Sequence, residues 1–334
     1  MARHATRTTL RDVALAAGVS LQTVSNVINN PERVSAEKLA TVRREIERLG
    51  YRPSTAARSL RKQRADAFGL QIPRATGRAF GTIHDLFLCA LTAAAQEDGA
   101  HIVPFVADSG DELQHYDSLL AAHAVDGFIL TDTRPDDPRP GWLREHGVAH
   151  QSFGRVWDDP ACTNWVDVDG AHGTAQAVEH LVEVGYRHVA FLGWPEGSPV
   201  GDDRRRGWAQ ACVAHGRSPE LTSTTPHEVL AAQRSAAGLL VALAPGDAIV
   251  CVSDTVALGA IMAITAAGLR VGQDIGVVGF DDCDFAAVFG LTTVRQPVGR
   301  IAAHMISRLR AEDPADIGTV ITPNLVCRRS THRD

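Results

Sequence analysis

The sequence predicts a small all-α helix-turn-helix domain joined to a larger α/β body of two Rossmann-like halves. At 334 residues the chain exceeds one ordinary domain and suits two or three. Its charge is split along its length. The whole chain has 33 Lys and Arg against 39 Asp and Glu. Residues 1–64 hold 13 of the former and 5 of the latter, a net of +8, leaving −14 for the rest. A basic module for a polyanion attached to an acidic body gives this asymmetry. Beyond residue 66, short apolar runs alternate with helical patterns, as parallel sheets with helices on both faces require.

Within the basic module, Thr9-Leu10-Arg11-Asp12 is a capping-box pattern, and Leu10, Val13, Ala14 and Ala17 form one apolar helical face. Gly18 ends that helix and Ser20 caps a second, in which Val24, Val27 and Ile28 face inward. Gln22, Asn26 and Asn29 recur at i, i+4 and i+7 on the opposite side, so amide side chains face outward where base edges in a major groove can be read. Ser35 caps a third, bracing helix with Leu39, Val42, Ile46 and Leu49 on one stripe, and Gly50 closes it.

In the body, strands are predicted at Phe68–Ile72, His101–Val106, Gly127–Thr131, Val148–Phe153, His188–Gly193, Ala248–Val252 and Ile275–Phe280. Helical patterns cover Asp85–Asp98, Ala171–Val184, Arg204–His215 and Thr255–Ala267. The series restarts near Trp165, which implies two halves of similar architecture. Ligands of open α/β sheets sit beyond the carboxyl ends of the strands, so a cleft between two such halves is the natural pocket. Thr131, Asp132, Arg155, Ser253, Asp254, Asp281 and Asp282 follow predicted strands and become candidates.

The run Ala17-Gly18-Val19-Ser20-Leu21-Gln22-Thr23-Val24-Ser25-Asn26-Val27-Ile28-Asn29 resembles the lactose/purine repressor (LacI/GalR) family. Gly50-Tyr51-Arg52-Pro53 and Ala56-Ala57-Arg58-Ser59-Leu60 match that family's hinge segment, and Val277-Val278-Gly279-Phe280-Asp281-Asp282 matches a motif of its ligand domain. The likeness runs from about residue 8 to 330. It implies a periplasmic-binding-protein-like effector domain behind the helix-turn-helix. The division expected is 1–53 for DNA, 54–65 for the hinge and 66–334 for effector binding and dimerisation. Within the last, 66–164 with 297–324 would form one subdomain and 165–294 with 325–334 the other.

Carried over residue by residue, the resemblance puts Ser20, Leu21, Gln22, Thr23, Ser25, Asn26 and Asn29 at or near DNA, with Arg58 on phosphate and Leu60 as a minor-groove wedge. Position 26 departs from the commonest family pattern, which has Arg there; Arg suits guanine, whereas Asn prefers adenine. For the effector it implies Asp281, Arg204 and the Ser253-Asp254 pair, with His84 and His227 where an aromatic ring is frequent. The partners implied are a palindromic operator duplex, a second copy of the chain, and a small effector. A sugar or glycoside is favoured, with a nucleobase or other metabolite as the alternative, and a plain ligand-binding protein without DNA as a third reading.

Other classes find no support. G-x-S-x-G, G-x-x-x-x-G-K-[ST] and H-E-x-x-H are all missing, so the chain reads as a non-enzyme. His172 and His180 stand eight apart, which is poor for one metal, and no cofactor is implied. Cys89, Cys162, Cys212, Cys251, Cys283 and Cys327 form no C-x-x-C and read as reduced core residues of a cytoplasmic protein. Met1–Leu10 has no signal-type apolar stretch, and Val256–Gly268 is too short to span a bilayer.

Overall fold

The computed structural model describes residues 8–51, 64–72, 83–107, 110–157, 159, 161–311 and 318–333. The chain divides into two compact units, Met1–Ala65 and Asp66–Asp334. The predicted hinge contacts Arg58 and Leu60 lie outside the described residues.

In the first unit, α1 (Leu10–Ala17), α2 (Leu21–Asn29) and α3 (Ala36–Leu49) enclose Val13, Ala14, Val24, Val27 and Val42. The capping box forms: Thr9 Oγ1 accepts from Asp12 N at 3.3 Å, and Thr9 N donates to Asp12 Oδ2 at 2.8 Å. Gly18 ends α1 at φ +64°, a left-handed turn that any Cβ would strain. Ser20 caps α2, its Oγ accepting from Thr23 N at 3.1 Å. Such caps hold short helices whose length alone would leave them marginal.

The second unit carries two six-stranded sheets. The first runs in the order β11 (Thr319–Ile321), β5 (Trp165–Val168), β4 (Ala149–Phe153), β3 (Gly127–Leu130), β1 (Ala67–Ile72), β2 (His101–Val106). The second runs β12 (Asn324–Val326), β10 (Thr292–Arg295), β9 (Ile275–Asp281), β8 (Asp247–Cys251), β6 (Val189–Gly193), β7 (Thr222–Thr224). Pairing is parallel throughout except between β10 and β12. Both sheets reverse their winding at the same place, between the first and third strands of each series, which is where such sheets open a ligand crevice.

All seven predicted strands appear, with ends moved by a residue or less. The expected restart at Trp165 is corrected. Trp165 pairs with Ser152 of β4 and Val166 with Thr319 of β11, so β5 closes the first sheet. The chain crosses at Asp169, which caps α7 (Gly170–Val184) through His172 N at 2.9 Å. It returns after β10 into α12 (Val298–Arg310), which packs on β4, β5 and α4 (Ile83–Glu97), and crosses again between β11 and β12. A second correction concerns the cysteines: all six are free thiols, but Cys89 and Cys327 are exposed. Among the described residues no helix is long and apolar enough to cross a membrane.

Side chains alternate across each strand, so the first sheet is covered on both faces. Phe68, Phe87, Leu91 and Ile129 pack on one, and Tyr116, Phe128, Leu130 and Leu143 on the other. In the second half, α7 and α8 (Pro199–Ala214) cross so closely that a Cβ on Gly207 would overlap the Ala171 backbone. The adjacent Trp208 is fully buried and donates from Nε1 to Val189 O at 3.2 Å, while Thr174 Oγ1 donates to Arg204 O at 2.7 Å. This crossing fixes where Arg204 stands. Gly207→Val should therefore destabilise the body by at least about 1–3 kcal/mol, the usual cost of overpacking. Thermal unfolding would record it as a lower Tm, and an unchanged Tm would refute the close-crossing account.

Candidate functional site

Two surfaces gather the sequence-predicted residues, one on each unit. On the first, α2 presents its polar side outward. Leu21 is 48% exposed in the first turn, and Gln22 is exposed beside it. Gln22 Nε2 donates to Asn26 Oδ1 at 3.1 Å, one turn along. Ser20 Oγ lies 2.9 Å from Thr23 Oγ1, and Asn29 Nδ2 donates to Ser25 O at 2.7 Å. Ser20 and Asn29 thus serve the helix itself, which leaves Leu21 and the Gln22–Asn26 amides as the groups at its leading edge. The unit's positive charge suits a phosphate backbone.

On the second unit, the polar candidates follow the ends of β3, β4, β6, β8, β9 and β10. Asp281, the last residue of β9, is buried and held at φ +120°. Gln296, just after β10, donates from Nε2 to Asp281 Oδ1 at 2.6 Å. Burial pushes the Asp281 carboxyl up to about 6, against the opposing pull of Arg204, Gln296 and His84.

Arg204, from α8, is buried with its guanidinium 3.6 Å from the Phe280 ring centroid and 5.7 Å from Trp194. Nη1 donates to Val252 O at 2.6 Å and stands 3.7 Å from Asp281 Oδ1. Burial lowers its pKa, opposed by the charges of Asp281, Asp167, Asp203 and Asp254. Among the described residues its Nε has no partner, and neither has Nε1 of Trp194. Arg204 Nε and Trp194 Nε1 are thus buried donors left unpaired among the described residues, on a guanidinium that stands 3.7 Å from Asp281 and 5.7 Å from the Trp194 ring, and unpaired buried polar groups are costly.

The remaining candidates divide. His84 Nε2 lies 3.1 Å from both carboxylate oxygens of Asp132, which occupies a left-handed turn at φ +51° after β3. Arg155 donates from Nε to Asp167 Oδ2 at 2.8 Å and lies over the Trp157 ring at 4.6 Å. Burial raises the pKa of Asp167, and its charge opposes the lowering at Arg204. His227 is exposed, its ring centroid 5.4 Å from that of Trp194.

Ser253 and Asp254 are committed within the protein. Ser253 Oγ caps α10 (Asp254–Ala266) by accepting from Val256 N. Asp254 accepts from Thr293 Oγ1 at 2.5 Å and from Cys283 N at 2.8 Å, and a Cβ on Gly279 would overlap it. Burial, and then the charge of Asp281, raise its pKa well above the carboxylate range. Asp254 therefore positions the turn that carries Asp281.

Trp194, Gln296 and Asp167 join the site without having been singled out. Trp194 directly follows the predicted strand His188–Gly193, so the strand-end rule could have found it. Asp167 lies in β5 and Gln296 just after β10, short strands that the pattern did not reveal.

Together the two surfaces define a DNA-binding regulator with a ligand cleft. The description "Bacterial regulatory proteins, lacI family" matches residues 9–54, and "Periplasmic binding protein-like domain" matches residues 178–331. The chain is 33% identical to the HTH-type transcriptional regulator CelR of Thermobifida fusca, over 97% of this chain and 98% of that one. It is 30% identical to AglR of Rhizobium meliloti (strain 1021), over 90% and 86%. A solved CelR–cellobiose complex superposes with a TM-score of 0.72 at 30% identity, covering 97% of this chain and all of that one. The Lac repressor dimer bound to operator and the anti-inducer ONPF superposes at 0.83 and 27% identity, covering 98% and 100%. The chain belongs to the lacI family of bacterial regulatory proteins.

The buried carboxylate gives a pH signature. Folded Asp281 keeps its proton up to about pH 6, whereas an unfolded chain releases it near about 3.9. Between these values the folded state binds more protons, so stability falls as pH rises and is regained as pH drops. Asp281→Asn should remove that dependence. The wild-type-minus-variant difference in unfolding free energy should shift on the order of 2 kcal/mol across this window. Urea unfolding at pH 4.5 and pH 7 would reveal it, and parallel pH profiles for the two proteins would refute it.

Proposed function

We propose that this protein is a cytoplasmic transcriptional repressor of carbohydrate-utilisation genes, released from its operator by a sugar held in the cleft. The observation that supports the sugar reading is the buried Asp281 carboxylate 3.7 Å from Arg204 Nη1, with Arg204 Nε and Trp194 Nε1 left unpaired among the described residues. A carboxylate accepts from sugar hydroxyls, and the donors meet their oxygens. The ion pairs His84–Asp132 and Arg155–Asp167 add polar groups from the first half that suit a ligand longer than one ring. The likeness to CelR, which binds cellobiose in the solved complex, favours a glucosyl disaccharide. The two PurR relatives, of Photorhabdus laumondii and Pectobacterium atrosepticum at 28% and 29% identity, keep a nucleobase as the second reading. Against it stand His84 and His227, where a stacked purine would want larger rings.

In this account the protein acts as a homodimer. Residues 1–53 bind DNA, 54–65 form the hinge, and 66–334 bind effector and pair the copies. Ser20, Leu21, Gln22, Thr23, Ser25, Asn26 and Asn29 lie along the major groove, and Arg58 and Leu60 act at the centre of the site. Two-fold symmetry then calls for a palindromic operator. Sugar binding changes the angle between the two halves of the body and lowers the DNA-competent population.

The test is selection of bound duplexes from a random pool, followed by titration of the enriched site with sugars and purines. Enrichment of one palindrome, released by a disaccharide, would bear the reading out; release by a purine alone would replace the sugar. Asp281→Ala should abolish release while operator affinity changes less than about threefold, by anisotropy. Because hydroxyls donate to the ionised carboxylate, sugar affinity should fall as pH drops below about 6. A sugar affinity that rises on acidification would exclude Asp281 as the acceptor.

A further inference from the structure

The recognition helix carries an amide pair whose chemistry selects a base. Gln22 and Asn26 are bound to each other, with Gln22 Nε2 donating to Asn26 Oδ1 at 3.1 Å. The neighbouring polar side chains are spent on the helix. Ser20 and Thr23 make the N-cap, and Asn29 donates back to Ser25 O. Once paired, the two amides still offer one acceptor, Gln22 Oε1, and one set of donors, the Asn26 Nδ2 hydrogens. Turning both amides over exchanges the atoms but keeps one acceptor beside one donor. Neither group is charged, so neither is drawn to phosphate as Arg or Lys would be.

We infer that Gln22 and Asn26 act as one reading unit that takes an adenine in each operator half-site. Among single bases in the major groove, adenine alone shows a donor, N6–H, next to an acceptor, N7. Gln22 Oε1 meets the first and Asn26 Nδ2 the second. Guanine shows two acceptors, O6 and N7, and leaves the Gln22 oxygen facing an oxygen. Thymine and cytosine satisfy one amide only. The hydrogen bond between the amides also fixes their spacing before DNA arrives, so less side-chain freedom is lost on binding. This inference rests on the DNA-binding reading above and adds the identity of one base pair to it.

The experiment is duplex selection from a random pool with the full chain, repeated with Asn26→Arg and Gln22→Met. Both positions are on the solvent side of α2, and helicity by circular dichroism checks that each variant folds. The wild type should enrich A·T at one position of each half-site. Asn26→Arg should change that position to G·C, and should weaken binding to the wild-type duplex on the order of tenfold to a hundredfold, the worth of one bidentate base contact. Gln22→Met should relax the preference at the same position. Enrichment of G·C there by the wild type would overturn the inference while leaving the DNA reading intact. So would variants that alter two different positions, because the amides would then read separately. If the wild type enriches no palindrome, the DNA reading falls and takes this inference with it.

Discussion

The Arg204 guanidinium is buried, and the cleft is built around that constraint. Taking a cation out of water costs several kcal/mol unless partners surround it. Here the partners are the Val252 carbonyl, the face of Phe280 and, at 3.7 Å, the Asp281 carboxylate. None saturates the guanidinium, and Nε is left over. The second sheet then holds Asp281 in place from below. Gln296 donates to it, and Asp254 ties the following turn through Cys283 N and Thr293 Oγ1. Gly279 makes room for Asp254, and Gly207 lets α8 come close enough for Arg204 to reach the centre. The result is a buried polar group whose hydrogen bonds are incompletely satisfied among the described residues, which is the feature the proposed sugar site rests on.

The small unit solves a different problem. Its core has five buried aliphatic side chains, too few to hold three helices without help. The Thr9–Asp12 box, the Ser20 cap and the left-handed glycines at positions 18 and 50 supply that help locally. The same economy governs the outer face of α2, where side-chain hydrogen bonds fix most polar groups and leave few free to read a partner. The charge contrast follows: a module of net +8 is drawn to DNA, while the body at −14 is kept off it.

How much of this was legible in the sequence depended on element length. Strands of five or more residues with continuous apolar runs, such as Val189–Gly193 and Ile275–Asp281, stood out. Of the three- and four-residue strands, only the apolar Gly127–Leu130 did. Thr222–Thr224 and Thr292–Arg295 have no apolar run, and the Thr292 hydroxyl bonds instead with Thr331 Oγ1 and Arg328 O. Missing β10 hid Gln296. Placing Trp165 at the start of the second half, rather than in the last strand of the first, hid Asp167. Arg204, Asp281 and the α2 row were found because each lies at a motif position or on a helical period. Asp254 matched its motif too, but burial and two internal partners make it a positioning residue, a distinction no pattern of letters carries.

The regulatory claim requires the two units to share one equilibrium, and linkage then makes the coupling reciprocal. The most direct test is calorimetric titration of cellobiose into the free protein and into the protein saturated with its selected operator duplex. The account predicts weaker sugar binding to the operator complex, by the same factor by which saturating sugar weakens operator binding. Equal sugar affinity with and without the duplex would contradict it, since a ligand indifferent to the DNA-bound state cannot release it.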